Sequence, residues 1–171
     1  MKHKCYVRTP IGMICIGEDG EAVTDLYLDR EYRKQYHAGR NEAKTEADNP
    51  SMGFVDEPQT ELLKRAGTEL MEYFQGKRKE FTLPLSPQGT EFQKKVWEAL
   101  RSIPYGETRS YGEIAAQVGN PRAARAVGGA NNKNPIMIFI PCHRVVGADG
   151  SLTGFACGLE AKKYMLDLER V

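Results

Sequence analysis

The stretch "IPCHRVVG" (residues 140–147) sets a cysteine beside a histidine after an apolar run and a proline. A thiol near its free pKa of about 8.5 is mostly protonated at neutral pH, so a nucleophilic cysteine needs a base or a cationic setting. Cys142 and His143 have the residue types for that chemistry. On an extended segment, however, neighbouring side chains point to opposite faces. A simple direct pair is then ruled out on an extended segment, which leaves room for a bridging water provided the chain bends around Pro141. The competing reading is a buried structural thiol, because Cys142 follows "PIMIFIP", a run that reads as a buried strand.

A second constellation lies just upstream. Residues 111–118, with Ile114, Ala115 and Val118 apolar, and "RAARAVGGAN" (122–131) read as two helices joined by "VGNP", with Pro121 at the first position of the second. This is helix-turn-helix spacing. Ala123, Ala124, Ala126, Gly128, Gly129 and Ala130 leave the second helix almost without bulk. Each glycine costs roughly 1 kcal/mol in a helix interior relative to alanine. Close helix–helix packing is one explanation. Backbone approach to a groove as narrow as about 6 Å is the other. Arg122 and Arg125 are the large side chains at the start of this helix, and residues 101–147 carry six basic against two acidic residues. A locally basic face permits nucleic-acid contact without requiring it.

These residues need a scaffold, and the pattern predicts one in two parts. "KCYVRTP", "GMICIGED" and "AVTDLYLD" read as strands separated by turn signals, Asp19-Gly20 being the strongest. Residues 30–58 turn polar and read as a long connector. Pro58 then opens a helical pattern through Leu62, Leu63, Ala66, Leu70 and Phe74, which Gly76 stops. "EFTLPLSPQGT" gives a short strand and a Pro/Gly break. After it come a helix marked by Phe92, Val96, Trp97 and Leu100, the two helices above, and a closing helix "LEAKKYMLDLE". The expected class is α/β (α+β): a small N-terminal α/β domain with an antiparallel sheet (1–85), and a mostly helical C-terminal domain with the helix-turn-helix (86–171).

Composition narrows the class. Of the 171 residues, 40% are hydrophobic and 27% charged, a globular balance. No apolar run approaches the roughly 20 residues that span a bilayer. The start has no apolar signal-peptide core, so a cytoplasmic location is expected. Cys5, Cys15, Cys142 and Cys157 read as free thiols. Net charge is −2 over residues 1–85 and +3 over 86–171.

"PCHRVV" (141–146), "SYGEIA" (110–115), "NPRAARAVGGA" (120–130) and the "NP" at 134–135 together resemble the motifs of O6-alkylguanine-DNA alkyltransferases, in order and spacing. The resemblance covers most of residues 88–171, and the first 85 residues match in outline. It implies a DNA repair protein that takes the alkyl group of O6-alkylguanine, and of O4-alkylthymine, irreversibly onto its own cysteine, with no cofactor. Cys142 matches the acceptor. His143 matches a base acting through an ordered water, and Glu169 the carboxylate that orients it. Asn134 matches the asparagine that braces the active-site turn. Tyr111 matches the tyrosine that helps guanine leave, and Arg125 the finger inserted in the base stack. Arg122, Ala123, Ala124 and Gly128 share the expected DNA-contacting face. Pro141, Val145, Phe155, Ala156 and Cys157 are expected to wall the alkyl pocket, with Cys157 standing where many relatives have glycine and so narrowing it. The implied partner is double-stranded DNA, met in the minor groove with the damaged base flipped, by a monomer. His3, Cys5, Cys15 and His37 do not reproduce the zinc-ligand spacing of some relatives, so no metal is expected. The rival readings are a non-catalytic lesion-binding protein, which the presence of Cys142 disfavours, and a cysteine hydrolase, for which the adjacent Cys-His pair is the wrong arrangement.

Overall fold

The structure is a computed structural model that describes residues 1–31, 51–154 and 158–170; His37, Phe155, Ala156 and Cys157 lie outside the described residues. The chain divides into two compact units, Met1–Arg78 with Thr82–Leu85, and Lys79–Phe81 with Ser86–Val171.

In the first unit, β1 (His3–Thr9), β2 (Gly12–Glu18) and β3 (Val23–Leu28) run antiparallel as a meander. The short strand β4 (Gly53–Phe54) adds along β1, giving the order β3-β2-β1-β4. β4 falls where the polar sequence reads as connector. The Asp19-Gly20 turn forms because Asp19 Oδ1 accepts the Glu21 and Ala22 N–H groups, both at 2.9 Å, while Gly20 takes φ +102°. Strand alternation puts Val7, Ile14, Ile16 and Leu26 in the core. Helix α1 (Glu61–Phe74) brings Leu63, Ala66, Leu70 and Tyr73 to that core and packs on β1 and β2. It starts three residues after Pro58 because Thr60 is its cap, its hydroxyl accepting the Leu63 N–H. The strand expected near residue 81 reduces to an isolated bridge between Val23 and Leu85.

The second unit is built on helices with strong start signals. In α2 (Glu91–Arg101), Thr90 and Gln93 exchange side-chain and backbone hydrogen bonds; in α3 (Tyr111–Gln117), Ser110 and Glu113 do the same. Helix α4 (Ala124–Asn132) follows the turn, and α5 (Leu159–Glu169) closes the chain. Two-residue strands β5 (Arg109–Ser110) and β6 (Val145–Val146) pair in parallel. Helix α4 begins three residues after Pro121, since Pro121 and Arg122 belong to the turn and Ala123 is the cap.

"PIMIFIP" is not a strand. Ile136 to Ile140 are all buried, but their backbone bonds are local: Ile140 N–H donates to Ile136 O at 3.0 Å and Phe139 N–H to Met137 O at 2.9 Å. Ile138 sits at φ +73°, a region unfavourable for a β-branched residue and tolerated when surrounding packing enforces it.

Trp97, 1% exposed, fastens α2 to α4 by donating from Nε1 to Ala130 O at 2.9 Å. Trp97→Phe keeps most of the packing but removes the donor. The Lys133 N–H still reaches Ala130 O at 3.2 Å. The substitution is therefore expected to lower stability by about 1 to 2 kcal/mol. Chemical denaturation followed by circular dichroism checks this, because Trp97 is the chain's single tryptophan.

Candidate active site

The candidate nucleophile, Cys142, sits on a sharp turn, not on the extended segment that the apolar run suggests. Pro141, at φ −80° and ψ 66°, makes an inverse γ-turn in which Cys142 N–H donates to Ile140 O at 2.8 Å. A 3₁₀ turn, Cys142–Arg144, follows directly, with Arg144 N–H donating to Pro141 O at 3.1 Å. With three residues per turn, successive side chains diverge by about 120° and no longer face opposite ways. The bend expected at Pro141 is thus present in a tighter form.

Two asparagines three residues apart in the chain hold this bend. Asn134 accepts the Ile136 N–H on Oδ1 at 3.0 Å and donates from Nδ2 to Ile140 O at 2.8 Å. Asn131, in the last turn of α4 and 2% exposed, donates from Nδ2 to Cys142 O at 3.3 Å. Together they grip the carbonyls on either side of Pro141. Asn134 is among the residues expected from sequence, whereas Asn131 is not. Its signal is faint: a polar residue three positions before Asn134 on a helix of small side chains.

His143 is fully buried, and its Nε2 bonds Glu169 Oε2 at the end of α5. A hydrogen bond to a carboxylate requires the proton on Nε2, which makes Nδ1 the basic atom of the ring. Burial holds the His143 pKa below its ordinary value despite the pull of Glu169, and Arg144 and Lys162 add to the lowering. The ring is therefore neutral at pH 7. Glu169 Oε1 accepts from Arg144 Nε at 2.6 Å and from Gly106 N–H at 3.3 Å.

Lys162 is a second site residue absent from the sequence reading. It is fully buried, donating from Nζ to Val145 O at 2.5 Å and to Thr153 O at 3.2 Å. Burial lowers its pKa, and the nearby Cys142 sulfur opposes that lowering when charged. Its signal was the spacing of Ala161, Lys162, Met165, Leu166 and Glu169, which puts a lysine on the apolar stripe of α5. Thr153 O also accepts the Tyr111 hydroxyl at 2.9 Å. Burial, with a smaller contribution from Cys142, pushes the Tyr111 pKa up, so the phenol keeps its proton. Tyr111, Lys162 and His143 thus gather around Cys142, with Pro141 and Val145 buried beside it.

The described cysteines differ in setting. Burial pushes the Cys5 thiol up to about 12 and raises that of Cys15, so both are inert at neutral pH. Among the described residues, no group of three or more His, Cys, Asp or Glu side chains could hold a metal ion.

Helix α4 presents Arg125, Ala126 and Gly129 to solvent; Arg122 is exposed in the turn before it, and Ala123, Ala124 and Gly128 are half-buried. A Cβ at Gly129 would meet nothing within 4 Å, and one at Gly128 would lie in ordinary contact, 3.8 Å from the Tyr111 ring. Packing within the unit therefore demands neither glycine.

Residues 2–87 match the ribonuclease-like domain of 6-O-methylguanine DNA methyltransferase, and residues 91–171 match its DNA-binding domain. The constitutive methylated-DNA–protein-cysteine methyltransferase of Bacillus subtilis is 44% identical, covering 100% of this chain and 97% of that protein. That of Methanosarcina acetivorans is 60% identical over 109 residues, covering 64% and 70%. Among solved structures, the O6-methylguanine methyltransferase of Mycobacterium tuberculosis superposes with a TM-score of 0.77 at 40% identity, covering 98% of this chain and 92% of that one. The same organism's OGT in complex with DNA also gives 0.77, at 41% identity, covering 96% and 91%. With both halves matched and the fold shared, the chain belongs to the 6-O-methylguanine DNA methyltransferase family.

Proposed function

We propose that the protein repairs alkylated DNA by moving the alkyl group of O6-alkylguanine, and of O4-alkylthymine, onto its own Cys142, once per molecule. The observation that carries this reading is the turn that sets Cys142 next to a neutral, carboxylate-held His143, with the Lys162 ammonium close by. His143 Nδ1 takes the thiol proton through an intervening water, and Glu169 stabilises the imidazolium that results. The sulfur attacks the alkyl carbon, an S–C bond forms, and the C–O bond breaks with its electron pair passing to guanine. Tyr111, kept protonated by its burial, turns its hydroxyl from Thr153 O to the base and supplies the donor that lets guanine leave. The product thioether has no activated carbonyl for water to attack, so the thiol is not regenerated.

The C-terminal domain (86–171) does this work, with residues 1–85 as a separate α/β domain. The alkylated oxygen lies inside a duplex, and rotating its nucleotide out costs a few kcal/mol. Arg125, exposed in the first turn of α4, fills the gap left behind and offsets part of that cost. The small side chains of α4 suit entry into the minor groove, whose width is about 6 Å. Ala123, Ala124 and Gly128 contribute to that face, and Arg122 meets the backbone phosphates. Every contact this chemistry needs lies in one chain, which supports a monomer. A protein that acts through a free thiol needs a reducing compartment, which supports a cytoplasmic location.

Two measurements test the proposal. After incubation with a duplex carrying one O6-methylguanine, the peptide containing Cys142 is expected to gain one methyl group and the DNA to regain guanine. Cys142→Ala is expected to show neither change. Modification at another residue, or none in the parent protein, sinks the proposal. The second concerns Gly129→Ala, which should raise helix stability by roughly 1 kcal/mol. It should also weaken duplex binding by about tenfold, equivalent to roughly 1.4 kcal/mol. Thermal melting and a binding titration read the two effects, and unchanged binding would remove α4 from the interface.

A further inference from the structure

Glu169 serves two partners with one carboxylate. Oε2 takes His143 Nε2, and Oε1 takes Arg144 Nε at 2.6 Å. Arg144 is itself buried, 6% exposed, and is fixed at two further points. One guanidinium nitrogen, Nη1, donates to Ile103 O at 2.7 Å, and the group lies 5.7 Å over the ring of Tyr105.

A buried carboxylate facing a histidine alone draws a proton onto the ring, because an imidazolium–carboxylate pair is the available way to neutralise the charge. An imidazolium cannot accept a thiol proton. A guanidinium changes this balance because it does not deprotonate and so supplies the counter-charge permanently. Glu169 and Arg144 then form a pair with no net charge, and protonating His143 would add a buried positive charge. We infer that Arg144 is a positioning residue for the alkyl transfer: it occupies the charge of Glu169 so that His143 stays a neutral base while still being oriented by Oε2. The inference rests on the proposed role of His143 as the proton acceptor.

The charged and titratable groups around His143 fit this account. Glu169 and Lys162 face it from α5, Arg144 and Cys142 belong to its own turn, and Tyr105, from the loop after α2, lies against Arg144 and Glu169. Of these, Glu169 favours the protonated ring, whereas Arg144 and Lys162 oppose it in the same direction as burial. Removing the guanidinium therefore raises the His143 pKa. A base works only when deprotonated, so the acid limb of the transfer rate must move to higher pH.

The test is the rate constant for methyl transfer from O6-methylguanine DNA across pH, for the parent protein, Arg144→Gln and Arg144→Lys. It is paired with an NMR titration of the His143 ring in each. In Arg144→Gln, a limb shift of about one pH unit makes transfer about tenfold slower than the parent at mildly acidic pH, with the ratio closing as pH rises. Arg144→Lys keeps the charge and is expected to keep the parent's limb. Slowing by one factor at every pH, or the same shift with lysine as with glutamine, would overturn the inference. If Arg144→Gln fails to fold, two results still decide the matter. A parent ring titrating at or above its ordinary value of 6.5, or a lysine variant with a raised limb, refutes it. Failure of the parent to transfer methyl groups at any pH would refute the proposed function, while the ring titration would still measure the effect of Arg144.

Discussion

The second unit is organised around a carboxylate in an unfavourable place. Glu169 occupies the last turn of α5, where the helix dipole is negative and the turn itself holds no basic residue, and it is 4% exposed. Arg144, His143 and the Gly106 N–H make its burial tolerable, and each comes from another part of the chain. Satisfying this one group therefore ties the end of α5 to the turn of the nucleophile and to the loop after α2. Tyr105 tightens the same junction, its hydroxyl donating to Leu168 O at 3.4 Å while its ring lies against Arg144. A buried ion pair of this kind contributes little net stability, since desolvation offsets most of the attraction. What it supplies is position, because each partner has one place where its charge is met.

The same logic governs the backbone at Cys142. Three departures from regular structure follow one another: the positive φ of Ile138, the inverse γ-turn at Pro141 and the 3₁₀ turn that begins at the nucleophile. Such conformations persist where their surroundings over-determine them. Here the surroundings are the packed side chains of residues 136–140 and the amides of Asn131 and Asn134. A thiol on this turn has its direction set before any substrate arrives. Preorganisation of this kind lowers the entropic cost of reaching the reactive geometry.

The helices were legible because their signals are local. Thr90 with Gln93, and Ser110 with Glu113, write the helix starts into four residues each, and α5 spans the stretch "LEAKKYMLDLE" read as the closing helix. The run "PIMIFIP" misled because length and apolarity cannot separate a strand from buried turns, and its hydrogen bonds were decided by Asn134 outside the run. Among site residues, Cys142 and His143 were visible as a pair, and the family resemblance supplied Glu169, Tyr111 and Arg125. Asn131, Arg144 and Lys162 were not recognised because their partners lie 11, 25 and 17 residues away. A polar side chain on a buried stripe shows in the sequence that a partner must exist, but not which one.

If α4 enters a groove as proposed, recognition and chemistry share one element. Within three consecutive residues, Gly129 is open to solvent, the carbonyl of Ala130 is held by Trp97, and Asn131 grips the carbonyl of Cys142. A helical turn rises about 5.4 Å, so the exposed Gly129 and the Asn131 anchor of the Cys142 turn are separated by less than one turn. Any tilt of the helix in a groove would then be transmitted to the thiol with little slack. On the proposed reading, this accounts for glycine at a position where alanine would fit the folded protein better. In the proposed complex, bulk on the outer face would hold the helix away from the duplex and draw Cys142 back from the flipped nucleotide by the same distance. Helix stability is thus given up at the point where lost depth would cost reach.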